Sequence, residues 1–180
     1  PSSEFAILKM APVGDQIQTE AHWLNLMTKD VPEIYWYDPA FCAILLEHLI
    51  PGHSLKTCVE QGHDDMATRV ICKIIRDFQL QQQTPYQFKH IRDFTSSLVN
   101  FNNAIKNKLT QKAESLFQDL IADSIKDIVL HGDLHHDNIL ASDKSWKVID
   151  PHGYLGSPLF EIGAMLFNPG GDAFPCDRTI

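Results

Sequence analysis

His131-Gly-Asp-Leu-His-His-Asp-Asn138, with Val148-Ile-Asp150-Pro151 downstream, is the stretch on which the reading of this chain turns. Ile128-Val-Leu130 before it is a short apolar run, and Ile139-Leu140 and Trp146 to Ile149 after it repeat that character, so the stretch reads as a polar loop between short strands. Such loops are where a rigid scaffold presents reactive groups. Asp133 and Asn138 sit on the loop, and Asp150 sits at the end of the next strand. Phosphoryl transfer needs such a set. One carboxylate orients the attacking hydroxyl and accepts its proton, while a carboxylate and an amide oxygen hold the magnesium that bridges the phosphates.

Two simpler readings compete. A solvated turn could use its Asp and Asn to cap neighbouring backbone. His131, His135 and His136 could bind zinc, but they crowd one short loop with no Cys or distant His-x-x-x-His in support. His131 reads instead as a buried histidine hydrogen-bonded to backbone.

Upstream, Phe5 to Met10 is a short apolar run that suits a buried strand, and Ala6-Ile-Leu-Lys9 places a lysine near its end. Gln16 to Met27 carries Ile17, Ala21, Leu24 and Met27 at helical spacing, with Asp15 as a candidate N-cap. Glu20 on that helix is placed to hold Lys9 by an ion pair. Ile34 to Tyr37 and Phe41 to Leu49 are the next strands, with Asp38-Pro39 and Pro51-Gly52 as turns. Asp64 to Gln83 predicts a helix with Met66, Val70, Ile74, Phe78 and Leu80 on one face, Phe88 to Leu109 a weakly patterned helix, and Thr110 to Ala122 another. The division between two lobes is expected near Ile50 to His53, giving a partial nucleotide-binding lobe over residues 1–50 and a catalytic lobe over residues 51–180.

Protein kinases space their phosphoryl-transfer residues as H-R-D-L-x-x-x-N and then D-F-G, after a V-A-I-K strand. His131-Gly-Asp-Leu134 with Asn138 reproduces the first element with Gly for Arg, Asp150-Pro151 stands at the second, and Ala6-Ile-Leu-Lys9 resembles the third. His131-Gly-Asp-x-His-x-x-Asn138 resembles the signature of aminoglycoside phosphotransferases. The run from Ile149 to Glu161, then Phe167-Asn-Pro169, is similar to the streptomycin 6-kinase and hydroxyurea phosphotransferase branch. The resemblance covers about Phe5 to Pro169. It implies an α+β, protein-kinase-like two-lobed fold, with a small sheet-rich N-lobe and a mainly helical C-lobe, incomplete at both ends.

The resemblance further implies ATP and Mg2+ as cofactors, Asp133 as catalytic base, Asn138 and Asp150 as magnesium ligands, and Lys9 as the phosphate-binding lysine with Glu20 as its partner. His135 is expected to shape the loop. Glu161 stands where relatives carry an Asp that braces the catalytic loop, and Gly156-Ser-Pro158 stands where they carry Gly-Asp-Pro. The implied activity is transfer of the γ-phosphate to a hydroxyl of a small molecule, a streptomycin-like antibiotic in the first instance. A metabolic sugar kinase such as a methylthioribose kinase, and a non-catalytic nucleotide-binding relative, are the alternatives.

Composition narrows the partners. A net charge of -8 over 180 residues argues against nucleic acid and is compatible with a cationic substrate. No apolar run is long enough to span a membrane, and no basic-then-apolar leader opens the sequence. Cys42, Cys58, Cys72 and Cys176 form no Cys-x-x-Cys pair and read as reduced, mostly buried thiols of a cytoplasmic protein.

Overall fold

The computed structural model describes residues 5–12, 14–27, 29–79, 84–105, 107–122, 126–143 and 145–168. The chain begins with strand β1 (Ala6–Met10), helix α1 (Gly14–Leu26), strand β2 (Ile34–Asp38) and strand β3 (Ala43–Glu47). The strands form an antiparallel sheet in the order β1-β3-β2, which sets Lys9 opposite Ile44. Helix α1 buries Ile17, Ala21 and Leu24 at the i, i+4, i+7 spacing of an amphipathic helix, and buries Glu20 and Trp23 with them. Asp15 lies inside its first turn rather than capping it. Strand β3 is shorter than the expected Phe41 to Leu49. Cys42 adopts a φ of 47° and donates its N–H to the Pro39 carbonyl, so a turn occupies the start of that run.

The remainder contains β4 (Pro51–Ser54), α2 (Lys56–Glu60), α3 (Asp64–Phe78), β5 (Lys89–His90), α4 (Phe94–Ile105), α5 (Lys108–Ala122), β6 (Ile128–Leu130), β7 (Ile139–Ser142), β8 (Ser145–Val148), β9 (Tyr154–Gly156) and α6 (Phe160–Phe167). Two small sheets run in the orders β4-β7-β8 and β5-β9-β6. Strands β4 and β9 and helices α2 and α6 carry too little periodicity to be read from sequence.

Helix α3 buries Ala67, Ile71, Ile74 and Phe78, a stripe rotated from the expected one, and leaves Met66 39% exposed. It ends at Phe78. Leu80 and Gln83, which the sequence pattern places in it, lie outside the described residues, as do Pro169 and Cys176.

The span from Phe88 to Leu109 is broken up by local capping. The His90 ring accepts the Arg92 N–H and the Asp93 carboxylate accepts the His90 N–H, so a short 3-10 turn at Ile91–Asp93 precedes α4. The thiols are less buried than composition suggested: Cys72 is exposed, and Cys42 and Cys58 are half-buried. Among the described residues no helix is long and apolar enough to cross a membrane.

Trp23 ties α1 to the core of the second part. Its indole N–H donates to the Leu130 carbonyl at 2.9 Å, and its ring meets His131 and Phe78 edge-on, each with centroids 5.3 Å apart. This contact fixes the helix that carries Glu20 against the strand that leads into the His131–Asn138 loop.

Candidate active site

Two loops cross side by side between the two small sheets. The first, His131 to Asn138, leaves β6 and enters β7; the second, Ile149 to Gly153, leaves β8 and enters β9. Backbone bonds stitch them together. Ile149 donates to the Asn138 carbonyl at 3.0 Å, and His152 and Gly153 donate to the His131 carbonyl at 2.8 and 3.0 Å. Both loops need tight backbone. Gly132 has a φ of 86°, and a Cβ there would lie 2.5 Å from the Tyr154 ring. Asp150 has a φ of 58°, a left-handed conformation that Asp tolerates better than most residues.

His131 is completely buried and organises the first loop. Its Nδ1 accepts the Asp133 N–H at 3.2 Å, so Nε2 carries the proton and donates to the Ile149 carbonyl at 2.8 Å. Burial drives the imidazole pKa down to about 3, which keeps the ring neutral. The sequence expectation of a backbone-bonded core histidine agrees with this geometry.

Glu161, at the start of α6, is also completely buried and receives the backbone N–H groups of His131 and Gly132. Burial pushes its carboxyl up to about 7 against the pull of those two N–H groups, and the charge of Asp133 adds to the rise. The brace that the resemblance implied is therefore in place with Glu in the Asp position. His135 accepts the Asp137 N–H at 3.2 Å, which fits the loop-shaping part expected of it.

Lys9 reaches this centre from the first sheet. Its ammonium lies 2.6 and 2.8 Å from the two Glu20 oxygens and 2.5 Å from Asp150 Oδ1. Burial alone would lower the Lys9 pKa, but the charge of Glu20 and the hydrogen bonds to Asp150 and Glu20 prevail and raise it. Asn138 donates from Nδ2 to the Asp133 carbonyl at 3.0 Å and approaches Asp133 Oδ2 at 3.4 Å. One open depression of about 270 Å³ is lined by Lys9, Glu20, Asp133, Asn138 and Asp150 together. All five residues singled out from sequence are thus brought to one place.

Gln16, Pro151 and His152 also line this depression and were missed. Gln16 stands one helical turn before Glu20 and shares its face, a spacing that could have found it. His152 had a signal only in its nearness to Asp150.

The donor set suits a hard cation. Asp150 and Asn138 offer a carboxylate and an amide oxygen as ligands, beside a second carboxylate, Asp133. Among the described residues no three His, Cys, Asp or Glu side chains form a ready-made metal cage. Magnesium held by one or two protein oxygens plus phosphates has no need of such a cage, and zinc held by the loop histidines does.

Residues 4–179 match the family described as aminoglycoside/hydroxyurea antibiotic resistance kinase. The streptomycin 3''-kinase of Klebsiella pneumoniae is 31% identical over 175 residues, covering 91% of this chain and 61% of the relative. The methylthioribose kinase of Escherichia coli O45:K1 (strain S88 / ExPEC) is 23% identical over 201 residues, covering 79% of this chain and 44% of the relative. The chain thus spans about half to three-fifths of the length of these curated relatives. A choline/ethanolamine kinase family protein from Mesorhizobium loti superposes with a TM-score of 0.69 at 14% identity, covering 89% of this chain and 57% of that one. At that identity the likeness concerns the fold, which is protein-kinase-like and α+β. With a family match along almost its whole length, the chain belongs to the aminoglycoside/hydroxyurea antibiotic resistance kinases.

Proposed function

We propose that this chain carries the phosphoryl-transfer centre of an ATP- and magnesium-dependent kinase acting on a hydroxyl of a small molecule. The observation that carries the reading is the Lys9 ammonium held between Glu20 and Asp150 on a depression that Asp133 and Asn138 also line. Lys9 would contact the nucleotide phosphates, with Glu20 fixing its position. Asp150 and Asn138 would hold magnesium, which when bound neutralises charge on the transferring phosphate. Asp133 would orient the acceptor hydroxyl and take its proton. The lobes would divide near residue 50, with residues 1–50 on the nucleotide side and residues 51–180 carrying the catalytic loop. ATP use goes with a cytoplasmic location.

A streptomycin-like acceptor is favoured by the 31% identical relative, and a small sugar by the methylthioribose kinase match. A cationic acceptor also fits the net charge of -8. If it is cationic, added salt will raise its KM, because screening weakens attraction between exposed charges. A non-catalytic nucleotide binder would have no chemical need for Asp133, Asn138 and Asp150 in one place. The test is ATP consumption by the full-length protein with streptomycin, other aminoglycosides and methylthioribose. ATP consumption that rises with one of these acceptors and needs magnesium supports the reading; none with any of them removes it.

A further inference from the structure

We propose that a second depression, which shares Gln16 and His152 with the catalytic one, seats a polyhydroxylated ring of the phosphate acceptor away from the reacting hydroxyl. This assignment rests on the kinase reading above. The depression has a volume of about 340 Å³, and Asp15, Thr19, Tyr86, Gln87, Lys89 and Tyr154 are also in its lining. Because Gln16 and His152 line both depressions, the two lie side by side, and an acceptor with one hydroxyl at Asp133 would place its remaining ring in this space. A site of this size falls in the range of small-molecule pockets and holds a single substituted ring.

The lining has the chemistry of sugar recognition. Tyr86 and Tyr154 bring aromatic rings to the lining, while the amides, the carboxylate and the ammonium offer both donors and acceptors. Asp15 and Lys89 oppose one another in sign, so the lining selects hydroxyls rather than one net charge.

The walls are set before any ligand arrives. Tyr86 stacks on His22 with centroids 4.0 Å apart at 20°. The Thr19 hydroxyl donates to the Asp15 carbonyl at 2.7 Å, so at 2.9 Å it is Tyr86 that donates to Thr19. Tyr154 is held edge-on by Phe94 at 4.9 Å and closes over Gly132. Gly153 lines the depression with bare backbone at a φ of 68°, and a Cβ there would lie 2.5 Å from Thr19 Cγ2. Fixed walls reduce the ordering cost of binding.

Gln87 and Lys89 are exposed, so substitutions there leave the core alone. The experiment compares wild type, Gln87→Trp and Gln87→Ala in the full-length protein. It measures KM for ATP, KM for streptomycin and for methylthioribose, melting temperature, and saturation-transfer NMR of each acceptor without ATP. Gln87→Trp should raise the KM of the accepted substrate at least about tenfold and weaken its NMR transfer. The KM for ATP and the melting temperature should stay at wild-type values in both variants, and Gln87→Ala, which removes the amide without filling the space, should raise the acceptor KM by less than Gln87→Trp does. An acceptor KM unchanged by Gln87→Trp in an active enzyme overturns the ring site and leaves the kinase reading standing. Wild type that consumes no ATP with either acceptor overturns both.

Discussion

Lys9 Nζ and Asp150 Oδ1 lie 2.5 Å apart across 141 positions of sequence, and Glu20 holds the other side of the same ammonium. The three charges sum to minus one, and Glu20 is 3% exposed, so the lysine is what permits a buried carboxylate at this point.

Lys9→Met should therefore cost stability as well as activity. The loss expected at neutral pH is about 1–3 kcal/mol, less than for a fully buried pair because the Lys9 side chain keeps 28% exposure. Adding Glu20→Gln should recover much of that loss, because it removes the stranded charge. Urea denaturation of the two single variants and the double variant gives the coupling directly. Strictly additive losses would show that the pair is an ordinary surface contact.

Asp150→Asn separates charge from backbone geometry. Asn accepts a left-handed conformation, so the φ of 58° can persist and the fold should melt near the wild-type temperature. The amide is a weaker ligand for a hard cation, so magnesium-ATP affinity should fall and turnover should nearly vanish. Titration of activity with magnesium checks this, and an unchanged requirement would remove Asp150 from the metal site.

The site was more legible in the sequence than the scaffold around it. Asp133, Asn138 and Asp150 are polar residues at fixed spacing beside short apolar strands, and that spacing survives folding unchanged. Lys9 was legible because Ala6-Ile-Leu-Lys9 resembles a V-A-I-K strand in the right order before the other motifs, and Glu20 because it lies on the helix that follows. Gln16 carries a signal in its place one helical turn before Glu20, whereas His152 only lines the cavity and leaves no periodic mark.

The helical segments fared worse for physical reasons. Ala67 at the start of the buried stripe of α3 looks neutral in a pattern, while the larger Met66 beside it is 39% exposed. The Phe88 to Leu109 span was cut by His90 and Asp93 exchanging bonds with backbone, an effect of two side chains that outweighs weak helical propensity. Glu161 could be placed as a brace only through resemblance, since nothing local marks a carboxylate that folds back on backbone 29 and 30 residues away.

His131 and Glu161 should titrate against one another in the stability of the fold. Glu161 has a folded pKa raised from 4.5 to about 7, so the stability it contributes is full below pH 4.5 and is lost as pH rises towards 7. His131 has a folded pKa lowered from 6.5 to about 3, so its contribution is full above pH 6.5 and is lost as pH falls towards 3. Between pH 4.5 and 6.5 the two slopes cancel. Glu161→Gln keeps an acceptor for both backbone N–H groups and removes one of the titrations. The variant should then lose about 1.4 kcal/mol per pH unit, relative to wild type, as pH falls through that window. Denaturant midpoints at several pH values measure it, and parallel curves for the two proteins would refute the pairing.

The last prediction distinguishes base from metal ligand within the catalytic loop. Asp133→Asn preserves size and removes basicity, and the Asn138 amide can still find an oxygen at that position. If Asp133 takes the acceptor proton, its charge matters chiefly at the transition state. Then kcat should fall by about 10²–10⁴-fold while magnesium-ATP affinity changes little. Asn138→Ala removes an oxygen ligand and also the Nδ2 donor that holds the Asp133 carbonyl at 3.0 Å. That variant should raise the magnesium requirement and lower kcat together, and high magnesium should restore only part of the loss, since the metal cannot replace the lost hydrogen bond. The two variants are compared in the full-length protein, with kcat and magnesium-ATP affinity measured for each. Near-normal kcat in Asp133→Asn would mean that Asp133 is not the base, and the acceptor proton would then have to leave by another route.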